Sequence, residues 1–375
     1  MNPLLQAYTL NNGVEIRNRL VVAPMTHLAS DDNGQTTAEE LDFIRPRACG
    51  MGMFITAATA VSQNGRAFPG QPNAIGAQDL ASLKQVAAVI RAQGAKAVLQ
   101  LHHGGDQAQA ALIGSEDIIT ASASKRGREM NTAEIKAIVA AFGNATALAI
   151  AAGFDGVEVH GANGYLLQQF YSPKSNQRHD EWGGSLENRL RFPLAVVKAI
   201  TDTVQQHQRP DFIVGYRLSP EEPNEKGLTM ADTFALVDAL AATPIQYLHL
   251  SQWNFFRHSR RGADTERSRL ALLHEHLQGK LPLIGVGNLT TLEQAAEALQ
   301  SGCAEFVALG KTLLLNPDLG RQLQNGESLP VETEIDPEKT AADYQLPSRM
   351  WEMSMEGTVA WLPPVKGKAW TGIDV

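Results

Sequence analysis

Eight short apolar segments recur along the 375-residue chain, and they constrain its fold more than any other feature. Most of them are continuous apolar runs rather than strict alternations, which is typical of strands in a sheet that is covered on both faces. The predicted strands are Leu20–Val22, Met53–Thr56, Ala97–Leu101, Val157–His160, Phe212–Arg217, Tyr247–Leu250, Leu283–Val286 and Phe306–Leu309. The sequence therefore predicts a buried and mostly parallel sheet.

Segments with a helical period separate these runs. The predicted helices are Thr37–Ala48, Asp79–Gln93, Thr132–Ala152, Leu186–Gln206, Met230–Ala242, Thr265–Leu277 and Thr291–Ser301. Asn131 and Glu134 have the spacing of a capping box at the start of the third helix. Thr290 and Glu293 have the same spacing at the start of the last helix, whereas Pro46 weakens the first one.

Eight strands that alternate with helices predict an α/β protein that folds as a single (β/α)8 TIM barrel. The alternative is a doubly wound open sheet. Its dinucleotide-binding form would place G-x-G-x-x-G directly after the first strand, where this chain has Ala23-Pro24-Met25-Thr26. We expect a hairpin over Tyr8–Asn18, which turns at Asn11-Asn12-Gly13, to close the N-terminal end of the barrel.

The charge balance and the cysteine content exclude several classes of protein. Lys and Arg number 32 against 40 Asp and Glu, so the net charge is −8 and no nucleic-acid partner is expected. Two cysteines cannot supply a disulfide framework or the four usual ligands of an iron–sulfur cluster. No metal site is predicted either, because the adjacent His102 and His103 have no carboxylate or Cys at ligand spacing.

The chain carries no strong signal for secretion or for a membrane. Its N-terminus lacks a basic segment followed by an apolar core, so a cytoplasmic protein is expected. Residues 137–154 are uncharged, but they are rich in Ala and contain Gly143, Asn144 and Thr146. A buried helix is therefore favoured over a membrane span.

The densest chemistry follows the fourth predicted strand, at Val159-His160-Gly161-Ala162-Asn163-Gly164-Tyr165. Catalytic groups of a barrel lie at the carboxyl ends of its strands. His160 and Asn163 can both donate a hydrogen bond to one oxygen and stabilise negative charge that develops there. Tyr165 stays protonated at neutral pH and can act as an acid. The alternative is that all three are ordinary loop and core residues.

A longer segment that contains this short motif indicates its function. Residues 153–192 read GFDGVEVHGANGYLLQQFYSPKSNQRHDEWGGSLENRLRF. This segment closely resembles the old yellow enzyme family, the FMN-dependent ene reductases of the NADH:flavin oxidoreductase type. The resemblance implies that His160 and Asn163 bind the carbonyl or nitro oxygen of the substrate, and that Tyr165 delivers the proton.

The same resemblance extends to the ends of other strands. It implies that FMN is bound by Pro24, Met25, Thr26, Ala58, Gln100, Arg217, Gly287, Asn288, Gly310 and Lys311. Gln100 would hydrogen-bond the flavin pyrimidine, and Arg217 would lie by flavin N1 and O2, where negative charge accumulates on reduction. The glycine loops at 287–288 and 310–311 would hold the phosphate. Two positions depart from the family, which normally has Arg at Lys311 and often an acidic residue at Ala57.

The implied activity is that of an NAD(P)H-dependent oxidoreductase. NADH or NADPH would deliver hydride to flavin N5, from which it passes to the β carbon of an α,β-unsaturated carbonyl or nitro compound. Two alternatives are a different FMN barrel, such as a dihydroorotate-type dehydrogenase, and a non-catalytic flavin-binding module. The phosphate loops alone would also suit an aldolase-type barrel.

The barrel accounts for residues 1–325, which leaves a C-terminal extension over residues 326–375. The extension holds three of the five tryptophans, Trp351, Trp361 and Trp370, while Gly357 and Pro363-Pro364 disfavour a long helix. Tryptophans in a solvated tail would be unfavourable. We therefore expect the extension to pack on the barrel or on a second subunit of a homo-oligomer.

Overall fold

A closed barrel of eight parallel strands forms the centre of the computed structural model, which describes residues 2–327, 330–357 and 359–369. The strands are β1 (Leu20–Val22), β2 (Met53–Ile55), β3 (Lys96–His102), β4 (Gly156–Gly161), β5 (Ile213–Leu218), β6 (Tyr247–Leu250), β7 (Leu283–Val286) and β8 (Phe306–Leu309). Each strand pairs with its neighbours along the chain, and β8 pairs with β1, so the sheet closes. The predicted TIM barrel is confirmed.

In the described part of the chain, one outer helix follows each of the first seven strands. These helices are α1 (Ala38–Ala48), α2 (Leu80–Ala92), α3 (Thr132–Ala152), α4 (Leu186–Gln206), α5 (Met230–Ala241), α6 (Arg269–Leu277) and α7 (Leu292–Gln300). Shorter helices are Ala110–Ile113, Leu166–Tyr171, Lys311–Leu315, Leu319–Gln324 and Ser348–Glu356, and single 3-10 turns are Pro3–Leu5, Gln63–Gly65, Ala77–Asp79 and Gly105–Gln107. Short strands outside the barrel are Tyr8–Thr9, Glu15–Ile16, Thr59–Ala60, Ile119–Thr120 and Arg128–Glu129; Thr59–Ala60 pairs with the end of β3.

The start of α3 has the predicted capping box. The Asn131 side chain accepts a hydrogen bond from the Glu134 backbone N–H at 3.0 Å, and the Glu134 carboxylate accepts from the Asn131 N–H at 2.8 Å. Each side chain thus satisfies a backbone donor that the helix itself leaves unpaired. α3 is long and apolar enough to cross a membrane by length and composition, but it packs between α2 and α4 in the outer ring.

Two helix starts differ from the prediction because another hydroxyl caps the helix. The capping box predicted for Thr290 and Glu293 is wrong, since Thr291 caps α7 and accepts from the backbone N–H of Gln294 at 3.2 Å. α6 starts later than Thr265, the residue predicted, because Ser268 takes the capping position. Both cases show that neighbouring hydroxyls compete for one cap, and that spacing alone does not select the winner.

The barrel interior changes from apolar to polar along its axis. At the N-terminal end, Leu10 and Ile16 of the predicted hairpin are buried against inward-facing apolar side chains of the strands. Those side chains are Val21, Met53, Ile55, Val98, Ile213, Tyr247, Ile284 and Phe306. The hairpin thus closes this end of the barrel interior with hydrocarbon.

The extension beyond residue 325 lies against the barrel where it is described. Tyr344 and Met350 are buried in the same apolar core as the strands, and Trp351 stacks on Tyr344 with the ring centroids 6.1 Å apart. Trp361 lines the cavity described below, whereas Trp370 is outside the described residues. A barrel that ends at residue 325 and an extension with a role in oligomers remain predictions.

One buried guanidinium connects the extension to the barrel. Arg47 of α1 is fully buried and donates to the carbonyl oxygens of Tyr344 at 2.7 Å, Gln345 at 3.1 Å and Leu313 at 3.0 Å. Burial lowers the pKa of Arg47 to about 9. Because its donors are matched by carbonyl groups, this cation holds three segments of the chain together.

Replacing Arg47 should therefore loosen the extension. We expect Arg47→Met to lower the free energy of unfolding by about 2–4 kcal/mol, because several buried carbonyl oxygens lose their donor. Urea unfolding at pH 7 measures this difference. Arg45→Met, an exposed substitution on the same helix, should change stability by less than about 0.5 kcal/mol. Equal effects of the two variants would contradict the role given to Arg47.

Candidate active site

A cavity of about 750 Å³ opens at the carboxyl ends of the barrel strands. Ten of the predicted site residues line it: Pro24, Met25, Thr26, Asn163, Tyr165, Arg217, Gly287, Asn288, Gly310 and Lys311. The other three predicted residues, His160, Gln100 and Ala58, are buried behind this surface. The structure therefore gathers residues from β1, β4, β5, β7 and β8 around one space, as the barrel topology requires.

His160 is a neutral hydrogen-bond donor. Its Nδ1 accepts the backbone N–H of Ala162 at 3.3 Å, which leaves the ring proton on Nε2. Burial lowers the pKa of His160 well below its ordinary value, and His102 and Arg217 lower it further. The ring therefore presents an N–H group and no charge to a ligand at neutral pH.

Asn163 and Tyr165 complete this end of the cavity. Asn163 has a left-handed backbone with φ of 59°, and its Oδ1 accepts from the Ser251 hydroxyl at 2.7 Å, which orients Nδ2 as the donor for a ligand. The Tyr165 ring lies 5.1 Å from the His160 ring, centroid to centroid. Burial raises the pKa of Tyr165, so its hydroxyl remains protonated at neutral pH.

His102, to which the sequence assigned no role, supports Tyr165 from behind. The two rings meet edge to face with centroids 4.3 Å apart. The Oε1 atom of Gln71 accepts the backbone N–H of Ala67 at 2.8 Å, so its Nε2 donates to His102 Nδ1 at 3.0 Å. The same Nε2 donates to the Ala58 carbonyl, which explains why Ala58 is buried beside the site.

His102 is neutral for a separate reason. Burial, together with the charge of neighbouring His103, lowers its pKa to about 3. His103 holds the loop, as expected: its Nδ1 accepts from the Gly105 N–H at 3.0 Å. In the described residues, no group of three or more His, Cys, Asp or Glu side chains could hold a metal ion.

A buried carboxylate that sequence reasoning missed lies below the cavity floor. Glu158 of β4 is fully buried, and it accepts from Gln100 Nε2 at 2.7 Å, Tyr247 Oη at 3.0 Å and His249 Nδ1 at 2.9 Å. Burial acts to raise the pKa of Glu158, but the hydrogen bond from His249 and the charge of Arg217 hold it below its usual value. Burial also lowers the pKa of His249, so Arg217 is the permanent cation that balances the carboxylate.

The cavity fits FMN, the group that the sequence resemblance implies. Buried Arg217 Nε and His249 Nε2 have no hydrogen-bond partner within the described residues, so two polar atoms below the cavity are available to a bound molecule. At the other end, Gly287 has φ of +141°, and a Cβ there would come within 2.6 Å of the Asn254 and Phe255 backbone. Lys311 is beside this tight loop, with Nζ 5.8 Å from the Trp253 ring centroid.

Comparisons with known proteins agree with this geometry. The sequence model of the NADH:flavin oxidoreductase / NADH oxidase family matches residues 3–329. A probable NADH-dependent flavin oxidoreductase of Bacillus subtilis is 45% identical over 369 residues, which cover 96% of this chain and 98% of that protein.

Two further proteins extend the comparison. The NADH:fumarate oxidoreductase of Klebsiella pneumoniae is 38% identical over 94% of this chain, which spans only 39% of that relative's length. A solved structure of an old yellow enzyme homologue from Zymomonas mobilis superimposes with a TM-score of 0.77. The match is 24% identical and covers 92% of this chain and 99% of the other, so it supports the fold alone.

Removing the charge of Glu158 should destabilise the barrel strongly. We expect Glu158→Gln to lower the free energy of unfolding at pH 7 by about 3–5 kcal/mol, because Arg217 is left buried without its counter-charge. The pKa of Glu158 is depressed in the folded state, so the deficit should shrink as the pH falls through the acid range. Urea titrations at several pH values measure both effects.

The matched control for Glu158→Gln is an ion pair on the protein surface. Glu275 pairs with Arg267 at 2.6 Å, and both side chains are exposed. Glu275→Gln should change the free energy of unfolding by less than about 1 kcal/mol. A similarly small change in Glu158→Gln would show that the buried carboxylate is dispensable.

Proposed function

The chain belongs to the NADH:flavin oxidoreductase / NADH oxidase family, and from this membership we propose that it is an FMN-dependent ene reductase. Its substrate is an α,β-unsaturated carbonyl or nitro compound, and NADH or NADPH is the reductant. FMN, when bound, supplies the hydride chemistry: it takes hydride from the nicotinamide and gives it to the β carbon of the alkene.

The observation that carries this proposal is the pair of uncharged donors beside a protonated phenol. His160 carries its ring proton on Nε2 and is buried behind the cavity surface, and Asn163, whose Oδ1 accepts from Ser251, lines that surface. We propose that Nε2–H of His160 and Nδ2–H of Asn163 donate to one oxygen of the bound substrate. Two donors on the oxygen of a carbonyl or nitro group withdraw electron density from the conjugated alkene and stabilise negative charge on that oxygen. Because His160 is neutral, it polarises the oxygen without transferring a proton to it.

Tyr165 is the proposed proton donor to the α carbon. Its raised pKa keeps the hydroxyl protonated, and the charge of nearby Arg217 favours the phenolate that remains after the transfer. His102 fixes the ring by its edge-to-face contact, so the hydroxyl is oriented before the substrate arrives.

The residues that would hold FMN form two groups, one suited to the flavin ring and one suited to the phosphate. Gln100 can offer FMN its side-chain carbonyl oxygen, since its amide nitrogen already donates a hydrogen bond to Glu158. Arg217 can offer FMN its Nε–H group. These groups suit the polar edge of a flavin ring, where reduction increases negative charge. Gly287, Gly310 and Lys311 suit the phosphate, because glycine lets the backbone approach closely and lysine supplies a positive charge.

The relatives leave the physiological substrate open. Fumarate, in the name of the Klebsiella relative, is an alkene activated by carboxylate groups. More than half of that protein has no counterpart in this chain, so its substrate is not assigned here to the cavity of this barrel. The proposed substrate class rests instead on the donors His160 and Asn163.

Tyr165→Phe tests the proton donor. We expect reduction of the bound flavin by NADH to change less than twofold, whereas reoxidation by 2-cyclohexenone slows about 10²–10⁴-fold, the usual contribution of a general acid. Stopped-flow spectroscopy at the flavin absorbance separates the two half-reactions. Tyr8→Phe, at the opposite end of the barrel, is the matched control and should alter neither. An unchanged rate of reoxidation in Tyr165→Phe would show that Tyr165 is not the proton donor.

Lys311 gives a second test, at the phosphate end. Burial lowers the pKa of Lys311 to about 8, so the free protein loses this positive charge as the pH rises through that value. We expect the Kd of FMN to increase up to about tenfold between pH 7 and pH 9, since the phosphate stays dianionic there. Fluorescence titration of the apoprotein measures it. Lys311→Arg should abolish the rise because arginine stays charged, and a rise of the same size in that variant would exclude Lys311 as the cause.

A further inference from the structure

The cavity carries more positive charge than the proposed reaction uses. Among the described residues that line it, five are basic and two are acidic, although the whole chain has a net charge of −8. The basic residues are Lys174, Arg217, Arg260, Arg269 and Lys311, and the acidic ones are Glu221 and Glu222. FMN accounts for Arg217 and Lys311. Arg269 is paired with Glu221, which leaves Lys174 and Arg260 to be explained.

Glu221 organises the loop between β6 and α6, which contributes Arg260 to the cavity lining and leads into Arg269 at the start of α6. Its carboxylate is buried and accepts the backbone N–H groups of Arg260, at 3.0 Å, and Arg261, at 3.0 Å. It also accepts Arg269 Nε at 2.6 Å. Glu221 is thereby committed to two backbone groups and to one guanidinium, that of Arg269.

The two consecutive arginines of this loop have different surroundings. Arg261 Nη2 donates to the carbonyl oxygens of Glu222 and Gly227, each at 3.1 Å, so its guanidinium is used inside the protein. Arg260 lines the cavity, and its guanidinium has no hydrogen-bond or ion-pair partner in the part of the chain that the structure describes. Loop geometry thus turns one arginine inward and leaves the next available to a ligand.

The position of Arg260 is unfavourable without an anion. Burial lowers the pKa of Arg269, and although Glu221 opposes this effect, the positive charge of Arg260 adds to it. The guanidiniums of Arg260 and Arg269 therefore repel each other across the cavity wall. An anionic ligand group would relieve this repulsion and would accept the planar donor pair of Arg260 in bidentate geometry.

The same loop offers an apolar surface beside this charge. Trp253 lines the cavity and remains 39% exposed, one of few large apolar side chains in the described residues with such exposure. A cavity lined by both an aromatic ring and a guanidinium suits a flat ligand with an anionic substituent.

We propose that Arg260 forms an anion subsite in the cavity wall, which binds a carboxylate or phosphate group of a ligand. This inference rests on the proposed function, because it requires the reacting part of the ligand to lie in the same cavity. The anion belongs either to the alkene substrate, as a carboxylate remote from the activating carbonyl, or to the nicotinamide nucleotide, as its phosphates.

The substrate source is tested with an anionic enone and its neutral ester. 6-Oxo-4-heptenoate and its methyl ester share one conjugated ketone and differ in the charge of a terminal group that two methylenes separate from the alkene. If the substrate supplies the anion, Arg260→Gln should reduce the ratio of their kcat/KM values, acid over ester, by about tenfold or more, which corresponds to one charge-assisted hydrogen bond. Arg260→Lys should retain most of the ratio because it keeps the charge.

The nicotinamide source is tested in the other half-reaction. Stopped-flow reduction of the bound flavin gives the Kd of NADH and of reduced nicotinamide mononucleotide, which lacks the adenylate half. If the phosphates of NADH occupy the subsite, Arg260→Gln should weaken NADH binding about tenfold, and the shorter nucleotide shows whether the outer or the inner phosphate is involved.

Arg267 supplies the control on the same loop. It pairs with Glu275 and does not line the cavity, so Arg267→Gln removes an equal charge at another place. This variant should keep both the acid-to-ester ratio and the NADH affinity of the wild type. If Arg260→Gln also keeps both, the anion subsite does not exist.

The outcomes separate this inference from the function on which it rests. Failure of the wild type to transfer electrons to either enone would overturn the proposed function. In that event the effect of Arg260→Gln on the Kd of NADH would still test the subsite, because that measurement needs only reduction of the flavin. Reduction of acid and ester with an unchanged ratio and unchanged NADH binding in Arg260→Gln would overturn the subsite alone.

Discussion

The charge of Glu158, buried within the barrel, is the constraint on which the site depends. An ionised carboxylate has a large desolvation penalty, and only several well-placed partners make it tolerable. Gln100, Tyr247 and His249 each give it a hydrogen bond, and Arg217 gives it a counter-charge. These partners come from β3, β5 and β6, so one carboxylate orders the polar side chains of three other strands.

The separation of the barrel into two ends makes this arrangement possible. The hairpin side chains Leu10 and Ile16 fill the N-terminal end with hydrocarbon, so an apolar layer lies below the polar groups. The polar layer therefore faces only the cavity. Two of the buried polar atoms that have no protein partner within the described residues, Arg217 Nε and His249 Nε2, belong to this polar layer.

The sequence predicted the strands well because a parallel sheet buried on both faces leaves a continuous apolar signal. It also identified His160, Asn163 and Tyr165 as candidates, because these residues form one local motif, and their roles remain predictions. Glu158 escaped notice because it is a single acidic residue inside an apolar run, and its partners Tyr247 and His249 are about 90 positions away. Long-range hydrogen bonds leave no periodic signal in a sequence.

The role of His102 shows a second limit of the same kind. The predicted third strand ended at Leu101, one residue before His102, and the orientation of His102 depends on Gln71, which depends in turn on the backbone of Ala67. Such a chain of donors and acceptors is decided by geometry in three dimensions. Helix caps show the limit on a small scale, since Thr290 and Thr291 are both suitable residues and only the folded backbone selects Thr291.

The histidines around the cavity differ from most histidines in their pKa values. His102, His160 and His249 all have pKa values below the usual range, because burial penalises the imidazolium and nearby cations reinforce the effect. A pocket rich in imidazole normally changes charge near neutrality. Here burial favours the neutral rings of His102 and His160, so each keeps its hydrogen-bond donor and acceptor roles as the pH changes near neutrality.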